Sequence, residues 1–221
     1  MVRKIILDNN IKKIKTILFD MDGVLINAKE WHYSALNKAL VDFGYEPISH
    51  KDHIENFDGL PTRKKLLLLS KQQNIPEDQF EDINTLKQKY TKTIANDLCY
   101  PTKYHIEALS KLQDDNYQMA VCSNSVRQSV NTMMTKANLM PFLSFYLSNE
   151  DVTSPKPSPE IYNTAMEKFS ASPQETLILE DNKNGIKAAL KSGAHLMHIK
   201  DVEDVTYDNI IKKIKEIESR D

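Results

Sequence analysis

Cysteine is scarce: two in 221 residues, Cys99 and Cys122, far apart and without metal-ligand spacing, which excludes a disulfide-stapled or cysteine-ligated fold. Cys122 falls inside an apolar segment that reads as a core strand, so both residues are expected as reduced thiols. An excess of one charge is also missing. With 29 Lys and Arg against 31 Asp and Glu the net charge is −2, which offers no broad field to recruit nucleic acid or an anionic membrane. A long hydrophobic run is absent as well. Met1-Val-Arg-Lys-Ile-Ile-Leu7 sets basic residues before an apolar triplet, but Asp8-Asn9-Asn10 interrupts it before a signal-peptide core or membrane span could form, so a cytoplasmic chain is expected. No internal repeat or low-complexity linker divides the sequence, and its length suits one domain of ordinary size with a smaller insert.

The stretch that stands out is Thr16-Ile-Leu-Phe-Asp20-Met-Asp22-Gly-Val-Leu25. Ile17, Leu18 and Phe19 form a short apolar run of the kind found in a strand buried on both faces of a parallel sheet. Side chains two apart in an extended segment share a side, so Asp20 and Asp22 converge beyond the end of that strand, and Gly23 lets the backbone turn. Two carboxylates this close stay ionised together only with a cation between them, or else one takes up a proton.

From Ala28 to Phe43, apolar and small residues recur at three and four positions, predicting an amphipathic helix ended near Gly44 with His32 on its polar face. Asp58-Gly-Leu-Pro-Thr-Arg63 is a turn signal, followed by a short helix from Lys64 to Lys71. A third helix is expected from about Pro76 to Leu98. No strand pattern occurs between about 27 and 97, so this region reads as an all-helical insert. Beyond Pro101 strand and helix alternate: helix 103–114, strand 117–122, helix 126–137, strand 145–147, helix 160–169, strand 176–179, a helix ending at Gly193, and strand 195–199. An amphipathic surface helix from Asp208 to Arg220 closes the chain. The alternation predicts an α/β fold with a parallel sheet covered on both faces.

In such a sheet every strand ends at one edge, outside which ligands bind. Asp20 and Asp22 follow the first strand, Ser123 and Asn124 the second, Lys156 the third, and Glu180 and Asp181 the fourth. With these four groups in order, the sequence resembles the haloacid dehalogenase-like phosphatase superfamily, in the branch of beta-phosphoglucomutase and phosphoglycolate phosphatase. The motifs are Asp20-Met-Asp22-Gly-Val-Leu25, Ser123-Asn124-Ser125, Lys156 in Lys-Pro-Ser-Pro-Glu-Ile-Tyr162, and Glu180-Asp181-Asn182. The resemblance implies a Rossmann-like core of residues 1–26 and 98–221, with strand order 5-4-1-2-3, and a mobile helical cap of residues 27–97.

It also implies roles. Asp20 would be the nucleophile that forms an aspartyl-phosphate, and Asp22 the acid for the leaving oxygen and then the base for water. Mg²⁺ would be held by Asp20, the Asp22 backbone carbonyl and Asp181, with Glu180 supporting the ion through water. Ser123 and the backbone of Asn124 would hold phosphoryl oxygens, and Lys156 would neutralise nucleophile and phosphate. From the cap, Arg63 and the loop Gly59–Thr62 resemble the region that meets the distal part of a substrate. His32 resembles the cap-linker histidine that helps hold the mutase's counterpart of Asp22. Asp22 argues against haloacid dehalogenation, which needs no proton donor, and no single cap lysine stands out as the Schiff-base residue of a phosphonate-cleaving enzyme. Lys64, Lys65, Leu66 and Leu67 follow Arg63 where the mutase pattern has a Ser-Leu pair. The expected activity is therefore a Mg²⁺-dependent phosphatase acting on a small phosphorylated metabolite such as a sugar phosphate. A phosphosugar mutase is the alternative, and a non-catalytic phosphate-binding module ranks below both. A monomer without nucleic-acid or membrane partners is expected.

Overall fold

Thr16–Phe19 forms β1 with all four side chains buried, at the centre of a five-stranded parallel sheet of order β3-β2-β1-β4-β5. The order is the expected one read from the other edge. The computed structural model describes residues 14–219; the expectations for Met1 to Leu7 and for Arg220 fall outside them. The remaining strands are β2 (Gln118–Cys122), β3 (Phe145–Leu147), β4 (Thr176–Glu180) and β5 (His195–His198).

The pleat divides the core in two. Ile17, Phe19, Val121 and Leu179 pack on one face with residues of α5 (Lys103–Asp114), α6 (Arg127–Lys136) and α9 (Tyr207–Glu218), including Leu109, Met133 and Ile214. Leu18, Ala120 and Ile178 face the other way, against Ile161 and Ala165 of α7 (Glu160–Phe169) and Ala188 of α8 (Lys183–Ser192). Each large side chain so buried contributes roughly 1.5–3 kcal/mol, and covering both faces accounts for the continuous apolar run of β1. Phe19 pairs with Val121 on one side and Leu179 on the other. That register brings Asp20, Ser123 and Glu180 to a common edge.

Between β1 and α5 lie α1 (Lys29–Asp42), α2 (His50–Asp52) running into a π-helical turn at His53–Phe57, α3 (Thr62–Gln73) and α4 (Phe80–Leu98). They bury their own cluster, with Leu36, Leu40, Phe57, Leu66, Leu69, Phe80 and Ile83 at its centre. Leu40→Ala there should cost about 2–5 kcal/mol. The helix expected from Lys64 to Lys71 is longer at both ends, from the extended Pro61 to Asn74, which adopts a left-handed conformation. Pro76 also stays extended and leads first into a 3₁₀ turn, Glu77–Gln79, so α4 begins later than its sequence pattern suggests. No helix was expected at 50–57. Among the described residues no helix is long and apolar enough to cross a membrane. Cys99 and Cys122 are buried free thiols, and burial raises their pKa values to about 11 and about 12.

Candidate active site

The turn after β1 is built by its backbone. The Met21 carbonyl accepts from the N–H groups of Leu25 and Ile26 at 3.0 and 2.9 Å, and Gly23 N–H donates to Ile26 O at 2.7 Å. Gly23 has φ +92°, and a Cβ there would collide with the Asp181 carboxylate and the Lys29 side chain. Backbone conformation and close approach both require glycine here.

Asp20 is buried, and its Oδ1 accepts from Lys156 Nζ at 2.6 Å. The same ammonium donates to Glu180 Oε1 at 2.5 Å and to the Cys122 carbonyl at 2.8 Å. Lys156 precedes a cis proline, Pro157, and its backbone N–H donates to Asn124 Oδ1 at 3.0 Å. Burial works against its charge, but the carboxylates of Asp20 and Glu180 hold its pKa above the ordinary lysine value. For Asp20 the balance goes the other way: burial and then the Glu180 charge push its pKa well up, against the pull of Lys156.

Asp22 is held differently. Its Oδ2 accepts from Ser125 Oγ at 2.7 Å, and its Oδ1 lies 3.0 Å from His32 Nε2. His32 Nδ1 lies 3.2 Å from Lys87 Nζ. The Asp22 carboxylate can only accept, so the ring proton on Nε2 points at it and Nδ1 is left to accept from Lys87. Burial opposes ionisation of Asp22, but His32, Ser125 and Lys87 outweigh it and lower its pKa. Burial lowers the His32 pKa, with Lys87 adding to the effect against Asp22, which disfavours a second proton on the ring.

Asp181 follows β4, its carboxylate buried and accepting no well-aligned hydrogen bond, with Lys29 Nζ 2.5 Å from Oδ2. Burial lifts its pKa to about 6 against the pull of Lys29. Oxygens of Asp20, Glu180 and Asp181 lie within 4.8 Å of one another. Glu180 is already engaged: Oε1 takes Lys156 and Tyr162, whose hydroxyl donates at 2.7 Å, while Oε2 accepts from Asp181 N–H at 3.1 Å. A Cβ at Gly185 would overlap this carboxylate, so the first turn of α8 also fixes it in place. Asp20 and Asp181 are left as donors. Hard oxygen ligands at this spacing, with no Cys or His among them, fit a divalent cation such as Mg²⁺.

Ser123 is buried, and its Oγ accepts from Ser125 N–H at 3.0 Å. Asn124 spends its side chain on structure, donating to Gly59 O at 2.9 Å and Lys156 O at 3.2 Å. The first of these bonds ties the loop before α3 to the sheet edge. A cleft results, lined by Asp20, Asp22, Ser123 and Lys156 from the sheet side and by His32, Lys65 and Lys87 from the helical insert. Arg63, expected to face the substrate, is exposed and does not line this cleft. It lies two residues, about 200°, around α3 from Lys65, which takes that place. Sequence reasoning passed over Lys29, Lys65, Lys87 and Tyr162. For Lys87 a signal existed, because it stands in the buried stripe of α4 with Phe80, Ile83, Thr91 and Ala95.

The model of the haloacid dehalogenase-like hydrolase family matches residues 17–199. Pyrophosphatase PpaX of Bacillus cereus (strain B4264) is 30% identical over 185 residues, covering 82% of this chain and 81% of that protein. Phosphorylated carbohydrates phosphatase of Thermotoga maritima is 23% identical over 180 residues, covering 81% and 82%. Among solved structures, beta-phosphoglucomutase from Clostridium difficile superposes with a TM-score of 0.79 at 19% identity, covering 92% of this chain and 98% of that one.

Proposed function

Because the chain belongs to the family of haloacid dehalogenase-like hydrolases, we propose that it is a Mg²⁺-dependent phosphatase of small phosphorylated metabolites, sugar phosphates among them, working through an aspartyl-phosphate on Asp20. Its relatives named as phosphatases support the reaction class. The observation that carries the assignment is the difference between two carboxylates separated by a single residue. Asp20 is fixed by Lys156 beside a cation site, whereas Asp22 is held away from that site by Ser125 and His32.

Asp20 attacks phosphorus, and the bond to the leaving oxygen breaks. Lys156 keeps one Asp20 oxygen in place and lowers the repulsion between carboxylate and phosphate dianion. Asp22 gives the leaving oxygen its proton; the arriving dianion raises the pKa that His32 and Ser125 otherwise depress. Asp22, again a carboxylate, then takes a proton from water as the water attacks phosphorus and releases Asp20. Ser123 and the Asn124 backbone N–H hold phosphoryl oxygens at the start of the segment leading into α6. Asp20, Asp181 and the Asp22 carbonyl would hold Mg²⁺, which neutralises phosphoryl charge when bound. Residues 27–97 act as a cap over a core built from the rest of the chain, with the Asn124–Gly59 bond as part of the closed contact, so water is excluded while the leaving group departs.

A phosphosugar mutase is the second reading, favoured by the His32–Asp22 bond, which would hold Asp22 ready for a sugar hydroxyl. The test is purified protein with Mg²⁺ and a panel of phosphorylated sugars, short acids and pyrophosphate, assayed for inorganic phosphate. Phosphate release abolished by chelation is expected. Isomerisation of beta-glucose 1-phosphate without phosphate release would establish the mutase, and no turnover of any substrate would overturn both readings.

A further inference from the structure

A second cavity lies outside the catalytic cleft and shares no lining residue with it. Its volume is about 380 Å³, and both segments that join the insert to the sheet line it: Ile26 and Asn27 on the way out, Leu98, Cys99 and Tyr100 on the way back. Three aromatic side chains, Trp31, Tyr100 and Tyr104, stand around it. The Tyr100 ring is left largely in water, at 69% exposed. No lysine or arginine lines the cavity, and the acidic residue that does is Glu203. The Glu203 backbone N–H donates to Asp201 Oδ1 at 3.1 Å, but its carboxylate pairs with no described residue. His105 brings no positive charge to the wall. Its Nε2 donates to the Val202 carbonyl at 3.0 Å, its Nδ1 accepts from the Thr102 hydroxyl at 2.9 Å, and burial brings its pKa down to about 4. The charges of Glu203 and Asp201 add to burial in raising the Tyr104 pKa, so both carboxylates act on that side of the cavity. Aromatic faces carry partial negative charge, so rings and carboxylates together give the cavity a negative potential that the fold does not neutralise.

We propose that this cavity binds a small organic cation, a quaternary or similarly bulky ammonium, with its charge among Trp31, Tyr100 and Tyr104 and beside Glu203. Such a cation is weakly hydrated and is attracted to the faces of Trp and Tyr rings, whereas a neutral ligand of the same shape gains only the apolar contact. The volume lies within the roughly 300–1,000 Å³ of small-molecule sites, which suits a free metabolite-sized ligand. A ligand there touches the core and both connecting segments at once, away from the phosphoryl chemistry. The proposal therefore stands apart from the phosphatase reading.

The sequence contains a single tryptophan, Trp31, so intrinsic fluorescence reports on this cavity directly. The probes are choline and 3,3-dimethylbutan-1-ol, in which carbon replaces the charged nitrogen, titrated into wild-type protein at constant ionic strength and followed by Trp31 fluorescence and by calorimetry. Choline should saturate with a Kd of about 1 mM or below and bind roughly tenfold or more tightly than the neutral analogue. A merely apolar cavity would show the reverse order, because the neutral analogue gives up less hydration on entering. Tyr100→Leu together with Glu203→Gln should erase the preference; both side chains are exposed, so the double variant leaves the core untouched. Choline that fails to saturate by about 10 mM, a neutral analogue that binds as tightly, or a preference that survives the double variant would each overturn the proposal.

Discussion

Replacing Lys156 by methionine would remove the cation that two buried carboxylates share. Asp20 and Glu180 are 4% and 0% exposed, and Lys156 bonds them at 2.6 and 2.5 Å. Methionine matches much of the volume, so the loss is mainly electrostatic. Breaking a buried pair by deleting one partner costs about 3–5 kcal/mol, a large part of the roughly 5–15 kcal/mol that holds a typical domain folded. The sign of the pH dependence follows from Asp20. Its pKa in the folded protein already lies above the ordinary 3.8, so its contribution is fully present below that value and is lost as pH rises through the folded pKa. Without Lys156 the folded pKa climbs further, and a proton can take the ammonium's place at low pH. Lys156→Met should therefore be about 3–5 kcal/mol less stable than the unmodified protein at pH 8 and recover much of that difference at pH 5. Urea denaturation at both pH values, without divalent metal, measures it. A loss below about 1 kcal/mol at pH 8, or one independent of pH, would refute the idea that Lys156 neutralises this cluster.

Asp20→Asn should abolish phosphate release yet raise the melting temperature at pH 8, since burial makes the Asp20 charge unfavourable; a lower melting temperature would contradict that sign. His32→Ala should lower kcat by about 10²-fold and move the limb of the pH–rate profile that follows Asp22 to higher pH, because the ring helps keep the Asp22 pKa low; an unmoved limb would separate His32 from Asp22. Lys29, whose side chain is 37% exposed, holds Asp181 where the proposed cation would bind, so Lys29→Met should tighten Mg²⁺ binding several-fold, up to about tenfold. Titration calorimetry showing unchanged or weaker binding would remove Lys29 from the metal site.

The fold and the sheet edge were legible in the sequence because they depend on local patterns. Ile17, Leu18 and Phe19 can be buried on both sides only in a central strand, and parallel strands bring whatever follows them to one edge. Asp20, Ser123, Lys156 and Glu180 were therefore placed together by order and register alone. The approach of His32 to Asp22 was expected from a resemblance rather than from periodicity. Tertiary docking decided the rest. Helical periodicity orients α3 and α4 toward their own apolar cluster, but it does not say which flanking residues turn toward the sheet when the insert packs over it. That packing carried Lys65 and Lys87 into the cleft and left Arg63 in solvent. It also brought Lys29 onto Asp181 and Tyr162 onto Glu180, contacts spanning 152 and 18 residues that follow from neither charge nor spacing in the chain.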